Sequence, residues 1–276
     1  MLKTAPQLIR PAAQAGRFYP ANPARLQADV QDYLDRVAPA EGPVPKALIA
    51  PHAGYLYSGP IAASAFIRLG PAHARIRRVV LVGPSHYEDF EGLAAPAADA
   101  FATPLGVTPV DAEALEQTLN LPQVRVFDRA HGPEHCLEVE LPFIQTVLDD
   151  FTIVPLLVGH AGPSEVGDVL QTLWGGEETA IVVSSDLSHY LDAETARRKD
   201  RATARAIEAL CGDALDGYCA CGYRAIAGLL HVARARGLRV ETLDLRHSGD
   251  TAGPTDRVVG YGAFAFFEPE AVAAAA

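Results

Sequence analysis

The chain has 276 residues, of which 49% are hydrophobic, enough for a substantial core in one large α/β domain or two small ones. Its formal net charge of −11 argues against a surface for nucleic acid or anionic membrane, because clustered lysine and arginine bind phosphate. No run approaches the length of a membrane span, and the first residues lack the apolar segment of a signal peptide. The four cysteines form no CxxC pair, which favours reduced, buried thiols in a cytoplasmic protein.

Helical and strand patterns alternate along the whole chain. A helix is predicted from Asn22 to about Val37, because asparagine caps a first turn and Pro23 suits its first position. Further helical patterns cover 60–69, 111–120, 131–148, 163–174, 192–210 and 222–235. Apolar runs predict strands at 47–50, 79–82, 92–95, 151–158, 180–183, 239–245 and 257–267, with a loop or edge strand at 101–107. We therefore expect a single α/β domain over 1–276, with a mainly parallel central sheet and helices on both faces.

Three of the predicted strands end in a turn that is followed by a histidine. These histidines are His52, His86 and His189. Ligands of open α/β sheets bind beyond the carboxyl ends of the strands, and histidine is the commonest metal ligand. Three histidines at equivalent strand ends suggest one shared site. The histidines interpreted as structural are His73, His160 and His231.

Two imidazoles need a further ligand, and a carboxylate would complete the two-histidine, one-carboxylate face that Fe(II) uses. Asp186 and Asp250 are the candidates, since both lie in loops after strands. Asp186 precedes His189 by three residues, so it could instead orient that imidazole or cap the next helix. Asp250 could equally be a turn residue beside Gly249. The residues alone leave this choice open.

Other kinds of site find less support in the sequence. Ser184 lies near an aspartate and a histidine, but it lacks the G-x-S-x-G elbow of a serine hydrolase. Cys136 stands beside His135 in an apolar helix start, which favours burial over reactivity. Neither glycine-rich phosphate-loop spacing is present. Tyr55 and Tyr57, close to the first strand-end histidine, either line a pocket for a flat substrate or pack in the core.

Five ordered segments together resemble the Memo family, and the likeness extends from residue 15 to the closing strand at 259–261. The segments are Arg17–Pro20, Pro51–Gly59, Gly83–His86, Glu134–Glu138 and Ser184–His189. The resemblance implies the fold of the class III, LigB-type extradiol dioxygenases, which hold non-haem Fe(II) with two histidines and a carboxylate. Bacterial and archaeal members are often called the B component of the AmmeMemoRadiSam grouping. AMMECR1-like and radical-SAM proteins are therefore expected partners.

The resemblance also assigns roles to residues of this chain. His52 and His86 match the two metal-binding histidines of the family. Asp186 and His189 match a further pair in the site, and His189 would correspond to the acid–base histidine of the dioxygenases. His135, next to Glu134 at a predicted helix start, joins the catalytic candidates as a residue that shapes the pocket.

The chain departs from the family pattern at one point. Eukaryotic Memo proteins place a metal-binding cysteine in the loop before the last strand, where this chain has Thr251 with Asp250 beside it. An oxygen donor therefore replaces the thiolate, and Asp250 is the expected third ligand, with Asp186 as the alternative. Fe(II) is the expected ion, with zinc or copper as possible substitutes.

The resulting hypothesis is an oxygen-dependent, dioxygenase-like oxidoreductase that acts on a small molecule, with aromatic compounds among the candidate substrates. His52, His86 and Asp250 hold the metal, and His189 transfers protons. One rival is a zinc hydrolase on the same residues. A second rival is a binding or adaptor protein with a vestigial site, because eukaryotic Memo members resemble signalling adaptors.

Overall fold

The computed structural model describes residues 8–269. The start of the chain, on which the expected lack of a signal peptide rests, lies outside this range, as do both ends of the expected 1–276 domain. Its strands are β1 (Ile9–Arg10), β2 (Ala47–Ala50), β3 (Arg78–Pro84), β4 (Leu93–Ala95), β5 (Ala100–Thr103), β6 (Gly106–Pro109), β7 (Val124–Val126), β8 (Thr152–Val158), β9 (Thr179–Ser184), β10 (His189–Leu191), β11 (Arg239–His247) and β12 (Val258–Phe267).

The helices alternate with these strands along the chain. They are α1 (Pro23–Asp35), α2 (Tyr55–Phe66), α3 (Ala112–Leu119), α4 (Asp128–His131), α5 (Leu141–Val147), α6 (Pro163–Thr172), α7 (Ala193–Glu208), α8 (Tyr223–Arg236) and α9 (Ser248–Thr251), with 3₁₀ turns at Ile67–Ala72 and Gly212–Ala214. Within residues 8–269, no helix is both long and apolar enough to cross a membrane.

A large central sheet organises the fold. The described strands follow the order β10-β12-β2-β9-β3-β8-β4-β7, and β11 pairs with the other side of β12. The four central strands, β2, β9, β3 and β8, are parallel, whereas β12 and β4 run antiparallel to them at the flanks. Strands β1, β5 and β6 form a separate three-stranded sheet. The predicted α/β class with a central sheet is confirmed.

Helices cover both faces of the sheet, as expected from strands that are apolar throughout. Alternate residues of β2 show how this works, because successive side chains of a strand point to opposite faces. Leu48 and Ala50 join the core beneath α1, α2 and α5. Ala47 and Ile49 join the second core, beneath α3, α6 and α8. All four residues are fully buried, so β2 is fixed from both sides up to the loop that follows it.

Three predicted elements differ from the structure by more than a residue or two at their boundaries. Helix α2 begins at Tyr55 rather than near residue 60, and the 101–107 segment contributes to a hairpin of β5 and β6. The helix expected over 131–148 is divided, because α4 ends at His131 and α5 begins at Leu141. Between them, one oxygen of Glu134 accepts the backbone N–H groups of His135 and Cys136, which are thereby taken from a helical ladder.

A buried carboxylate ties the N-terminal segment to this interrupted region. Glu138 is fully buried and accepts hydrogen bonds from the Arg10 guanidinium and the Tyr19 hydroxyl. Arg10 also donates to the backbone carbonyls of His131 and Glu134. Removing one partner of such a buried pair costs about 3–5 kcal/mol. Arg10 of strand β1 therefore fixes the position of the segment that carries Glu134.

Candidate metal centre

Two histidines meet at the carboxyl edge of the parallel strands. His52 lies two residues beyond the end of β2, and His86 lies two residues beyond the end of β3. Their ring centroids are 5.2 Å apart, and the rings are nearly perpendicular. His52 is buried, whereas the side chain of His86 is 28% exposed. The pair therefore has a protected side and a side open to solvent.

A third imidazole completes the cluster. The His135 ring centroid lies 4.5 Å from that of His86 and 5.3 Å from that of His52. One ring nitrogen from each of the three histidines lies within 4.8 Å of the other two. His135 was expected to shape the pocket, and the structure instead makes it the third member of a possible ligand set.

Glu134 orients two of the three imidazoles. Its Oε1 lies 2.9 Å from His86 Nδ1 and 3.1 Å from His135 Nδ1, and its Oε2 accepts the His86 backbone N–H. Burial alone would raise the pKa of Glu134, but its contacts with His135 and His86 outweigh burial and hold that pKa well below its usual range. An ionised carboxylate only accepts hydrogen bonds, so it favours the proton on His86 Nδ1, and the His86 ring then presents Nε2 as its basic nitrogen. His135 Nδ1 lies close to the same oxygen without forming a hydrogen bond to it.

His52 is oriented by a hydroxyl instead of a carboxylate. Ser184 Oγ lies 2.7 Å from His52 Nδ1, and it has acceptors of its own at Glu140 Oε1 and the Cys136 carbonyl. The hydroxyl proton goes to one of those acceptors, so Ser184 accepts from Nδ1–H and leaves Nε2 basic. Burial, with the neighbouring imidazoles, lowers the pKa of His52 well below its ordinary value. The ring is therefore neutral at neutral pH, as a metal ligand must be.

The donor chemistry fits a transition metal. Imidazole nitrogens suit iron, zinc and copper, and metal-binding histidines typically give their other ring N–H to a carboxylate or another acceptor. Here Glu134 and Ser184 supply those acceptors for His86 and His52. The arrangement holds three imidazole donors near one point and leaves one side accessible.

Asp186 and His189 lie around this cluster and are not among its three donors. Asp186 Oδ1 accepts the backbone N–H of His52 at 2.9 Å, so the carboxyl anchors the loop that carries that ligand candidate. Burial raises the pKa of Asp186 to about 7, and backbone hydrogen bonds from His52 and Ala53 partly oppose the rise. His189 opens β10 and is half-buried. Burial lowers its pKa, and a backbone hydrogen bond at Leu187 partly opposes this change.

Asp250, the expected third ligand, lies apart from the three imidazoles. Its Oδ1 accepts from the Arg197 guanidinium at 2.6 Å, and its Oδ2 accepts the His247 backbone N–H at 3.0 Å. In the part of the chain that the structure describes, it belongs to no group of three donors within 4.8 Å. Thr251 is likewise engaged locally, because its hydroxyl donates to the Ser248 carbonyl. The structure does not bring Asp250 together with the three imidazoles, because Arg197 and the His247 backbone N–H hold its carboxylate.

One contact at the centre has no signal in the sequence. Cys221, interpreted as a small core residue, places its Sγ 3.3 Å from His52 Nε2. The contact arises because the start of α8 packs against the loop after β9, where the Cys221 backbone N–H donates to the Asp186 carbonyl. Residues separated by 169 positions meet only through the tertiary fold.

Known proteins resemble this chain over nearly its whole length. A family model described as "Memo-like protein" matches residues 10–265. A "MEMO1 family protein" of Thermotoga neapolitana is 36% identical over 282 residues, covering 92% of this chain and 98% of that protein. Those of Aquifex aeolicus and Archaeoglobus fulgidus are 34% and 35% identical, covering 92% and 91% of this chain and 97% of each relative.

Proposed function

Because this chain belongs to the Memo-like family, we propose that it is a metal-dependent oxidoreductase whose ion is held by His52, His86 and His135. The observation that carries the proposal is the meeting of the three rings, because one nitrogen of each lies within 4.8 Å of the other two. Glu134 and Ser184 occupy the Nδ1 atoms of His86 and His52, which leaves Nε2 as the basic nitrogen of both rings. Fe(II) is the proposed ion, because three protein ligands leave it open positions and it supplies the electrons for oxygen chemistry.

His189 is the proposed acid–base residue. It lies at the edge of the cluster, and burial keeps its pKa below the ordinary value for histidine. A neutral imidazole can accept a proton from a substrate hydroxyl and return it later. Asp186 acts at a distance from the substrate in this proposal, because its hydrogen bond to the His52 backbone fixes the position of that ring.

Aromatic side chains near the cluster favour a flat substrate. Phe18 stacks on His135 with ring centroids 4.6 Å apart, and Tyr87 approaches the same ring edge-on at 6.2 Å. Tyr57 and Tyr87 are exposed, so their rings are available for contact. Offset or edge-to-face contacts between rings each contribute about 0.5–1.5 kcal/mol beyond burial. A small aromatic diol is therefore the first substrate class to test.

The experiment measures O₂ consumption by iron-loaded protein over a panel of catechols. Turnover is expected with at least one diol, and His189→Gln should lower it about 100-fold, as loss of an acid–base residue does. His160→Gln is the matched control, because His160 follows β8 but hydrogen-bonds to Asp89 in an exposed position. Iron-loaded protein that consumes no O₂ with any diol would contradict the oxidation proposal.

A zinc hydrolase is the second candidate, and the three-histidine donor set favours it. Three histidines with an open fourth position form the catalytic zinc site of carbonic anhydrase, in which the ion activates water. The two candidates differ in their need for oxygen. Ester or phosphoester hydrolysis by zinc-loaded protein under strict anaerobiosis, abolished by His86→Ala, would favour hydrolysis over oxidation.

A further inference from the structure

A buried glutamate, Glu140, ends a chain of hydrogen bonds that begins at His52. Ser184 Oγ lies 2.7 Å from His52 Nδ1 and 2.6 Å from Glu140 Oε1. The same hydroxyl lies 2.8 Å from the Cys136 carbonyl oxygen. Ser184 and Glu140 are fully buried, so these three contacts account for the hydrogen bonding of the hydroxyl.

The single proton of the Ser184 hydroxyl determines which of its partners must donate. A hydroxyl donates one hydrogen bond and accepts two. The Cys136 carbonyl can only accept, so it receives the Ser184 proton. The two lone pairs of Ser184 then need donors, which are His52 Nδ1–H and a protonated Glu140. An ionised Glu140 would compete with the carbonyl for one proton and leave one of these two acceptors without a donor.

The surroundings of Glu140 also favour the neutral acid. Among residues 8–269 its Oε2 has no hydrogen-bond partner, and its side chain makes no hydrogen bond that caps α5, which it directly precedes. A buried carboxylate with one bare oxygen is costly, whereas the acid leaves only an unpaired carbonyl oxygen. Burial raises the pKa of Glu140 well above its usual range, the charge of Asp186 raises it further, and the Ser184 contact opposes only part of the rise.

Glu138, two residues away, shows what a charged carboxylate requires in this region. It is also fully buried, but its Oε2 pairs with the Arg10 guanidinium at 2.6 Å. Its two oxygens also accept the backbone N–H groups of Ala13 and Gln14. Glu140 has one polar side-chain contact, through Oε1, in the part of the chain that the structure describes. The two glutamates are equally inaccessible to solvent, but only Glu138 has a cation beside it.

We propose that Glu140 is a positioning residue that stays protonated, donates to Ser184 and so holds the His52 ring with Nε2 toward the ion. This inference rests on the metal centre proposed above, and it assigns a role to a residue that does not touch the ion. The acid fills the second lone pair of Ser184 and keeps the hydroxyl directed at the Cys136 carbonyl. Without that donor, the hydroxyl is freer to turn its proton toward His52 Nδ1, which would move the ring proton to Nε2, where it blocks metal binding.

Infrared spectroscopy of the metal-free, full-length protein tests the protonation state. A protonated carboxyl group has a C=O stretch at higher frequency than an ionised carboxylate or the backbone amides. The spectra are taken at about pH 8, above the pKa of about 7 for Asp186, and Asp186→Asn controls for the protonated fraction of that residue. The wild type and Asp186→Asn should show the band, and Glu140→Gln should lose it. A band that persists in Glu140→Gln, or its absence from the wild type, contradicts the protonated state.

Co²⁺ affinity of the metal-free protein tests the positioning role. Glu140→Leu keeps roughly the size of the side chain and removes the donor, so affinity should fall about 3- to 10-fold, less than for a group that contacts the ring itself. Glu140→Gln should stay within about 2-fold of the wild type, because its amide N–H can donate to Ser184 and it adds no charge. Glu134→Gln is the matched contrast, since the same substitution there removes a charged carboxylate that contacts His86.

Nitrogen NMR of isotope-labelled histidine reports which nitrogen of His52 carries the proton, a property that a merely structural role of Glu140 would not change. Nδ1 should be protonated in the wild type and in Glu140→Gln, and the proton should move in part to Nε2 in Glu140→Leu. Circular dichroism checks that the variants fold. If Glu140→Leu does not fold, the infrared band and the Glu140→Gln affinity decide.

Three results would overturn the inference in distinguishable ways. A loss of affinity in Glu140→Gln as large as in Glu134→Gln would mean that Glu140 acts through a negative charge. Wild-type affinity and an unchanged His52 tautomer in a folded Glu140→Leu would refute the positioning role. Failure of the wild type to bind Co²⁺ would refute the metal centre itself, whereas the infrared band and the tautomer are measured without metal and report on Glu140 alone.

Discussion

Glu134 and Asp250 are both acidic residues beside a histidine, yet the two carboxylates have different tasks. Glu134 is buried, its carboxylate has no arginine or lysine partner within residues 8–269, and one carboxylate oxygen lies close to the Nδ1 atoms of two imidazoles. Asp250 lies 3.2 Å from Nδ1 of the buried His247, but it also accepts from Arg197. Its charge is therefore compensated by a guanidinium at the protein surface.

The difference shows that a carboxylate becomes part of a metal centre through what else surrounds it. Glu134 keeps a full charge because imidazole and backbone N–H groups stabilise it, and that charge orients the His86 ring within the cluster. Arg197 and the His247 backbone N–H use the oxygens of Asp250, so none is directed at the cluster. Both residues follow a histidine or a strand in sequence, so sequence spacing cannot separate the two cases.

The largest expected effect is the loss of a ring that Glu134 orients. His86→Ala removes one of three proposed ligands and should weaken Fe(II) or Co²⁺ binding by more than about 100-fold, beyond the loss caused by removing an outer partner. Isothermal titration of metal-free protein measures this change. His73→Ala is the control, because His73 pairs with Asp149 in an exposed position. Equal metal affinity in the two variants would contradict the proposed centre.

Glu134→Gln should produce the next largest effect. Glutamine keeps the size of the side chain and loses the charge that favours the proton on His86 Nδ1, so metal affinity should fall about 10- to 100-fold. The same titration measures it, with Asp250→Asn as the matched control. Asp250→Asn also neutralises a carboxylate beside a histidine, and its metal affinity should equal that of the wild type. A loss in Asp250→Asn as large as in Glu134→Gln would restore Asp250 as a ligand.

Strand patterns and turn positions were sufficient to predict the α/β class and the approximate strands. They also identified His52 and His86 as candidate ligands, because each follows an apolar run that ends in a turn. His135 as a ligand candidate could not be derived, since its segment has a helical pattern that Glu134 interrupts through its own side chain. Cys221 depends on the packing of α8 against the end of β9, which no local pattern encodes.

The two regions should also respond differently to acid. Burial lowers the pKa of His131, in the segment before Glu134, to about 4. The unfolded histidine, with a pKa of about 6.5, takes up a proton first, so stability falls as pH drops from 6.5 toward 4. Because of His131, the free energy of unfolding of the wild type should fall by about 2 kcal/mol when the pH is lowered from 7 to 5.

Urea unfolding of the wild type and His131→Gln at both pH values measures this contribution. The variant starts less stable at pH 7 but should lose about 2 kcal/mol less on acidification, because the titrating group is gone. Asp250 should contribute nothing over that range. Burial raises the pKa of Asp250, but the hydrogen bonds from the His247 backbone N–H and Arg197 outweigh burial and lower that pKa below its usual value. The stabilisation that the Asp250 carboxylate provides is therefore lost only below about pH 4. Equal pH dependence in wild type and His131→Gln would contradict the buried neutral state of His131.

The smallest effect is expected for removal of the Asp250 carboxylate. Asp250→Ala loses the hydrogen bond to the His247 backbone N–H and a partly exposed ion pair with Arg197, which together should cost about 1 kcal/mol of unfolding free energy. Asp250→Asn should cost less, because its amide oxygen can still accept the backbone N–H. Metal affinity should stay at the wild-type value in both variants, measured by the same titration. A stability loss that appears only with metal bound would instead mean that the ion and Asp250 interact, because a purely local cap acts equally in the metal-free and metal-bound protein.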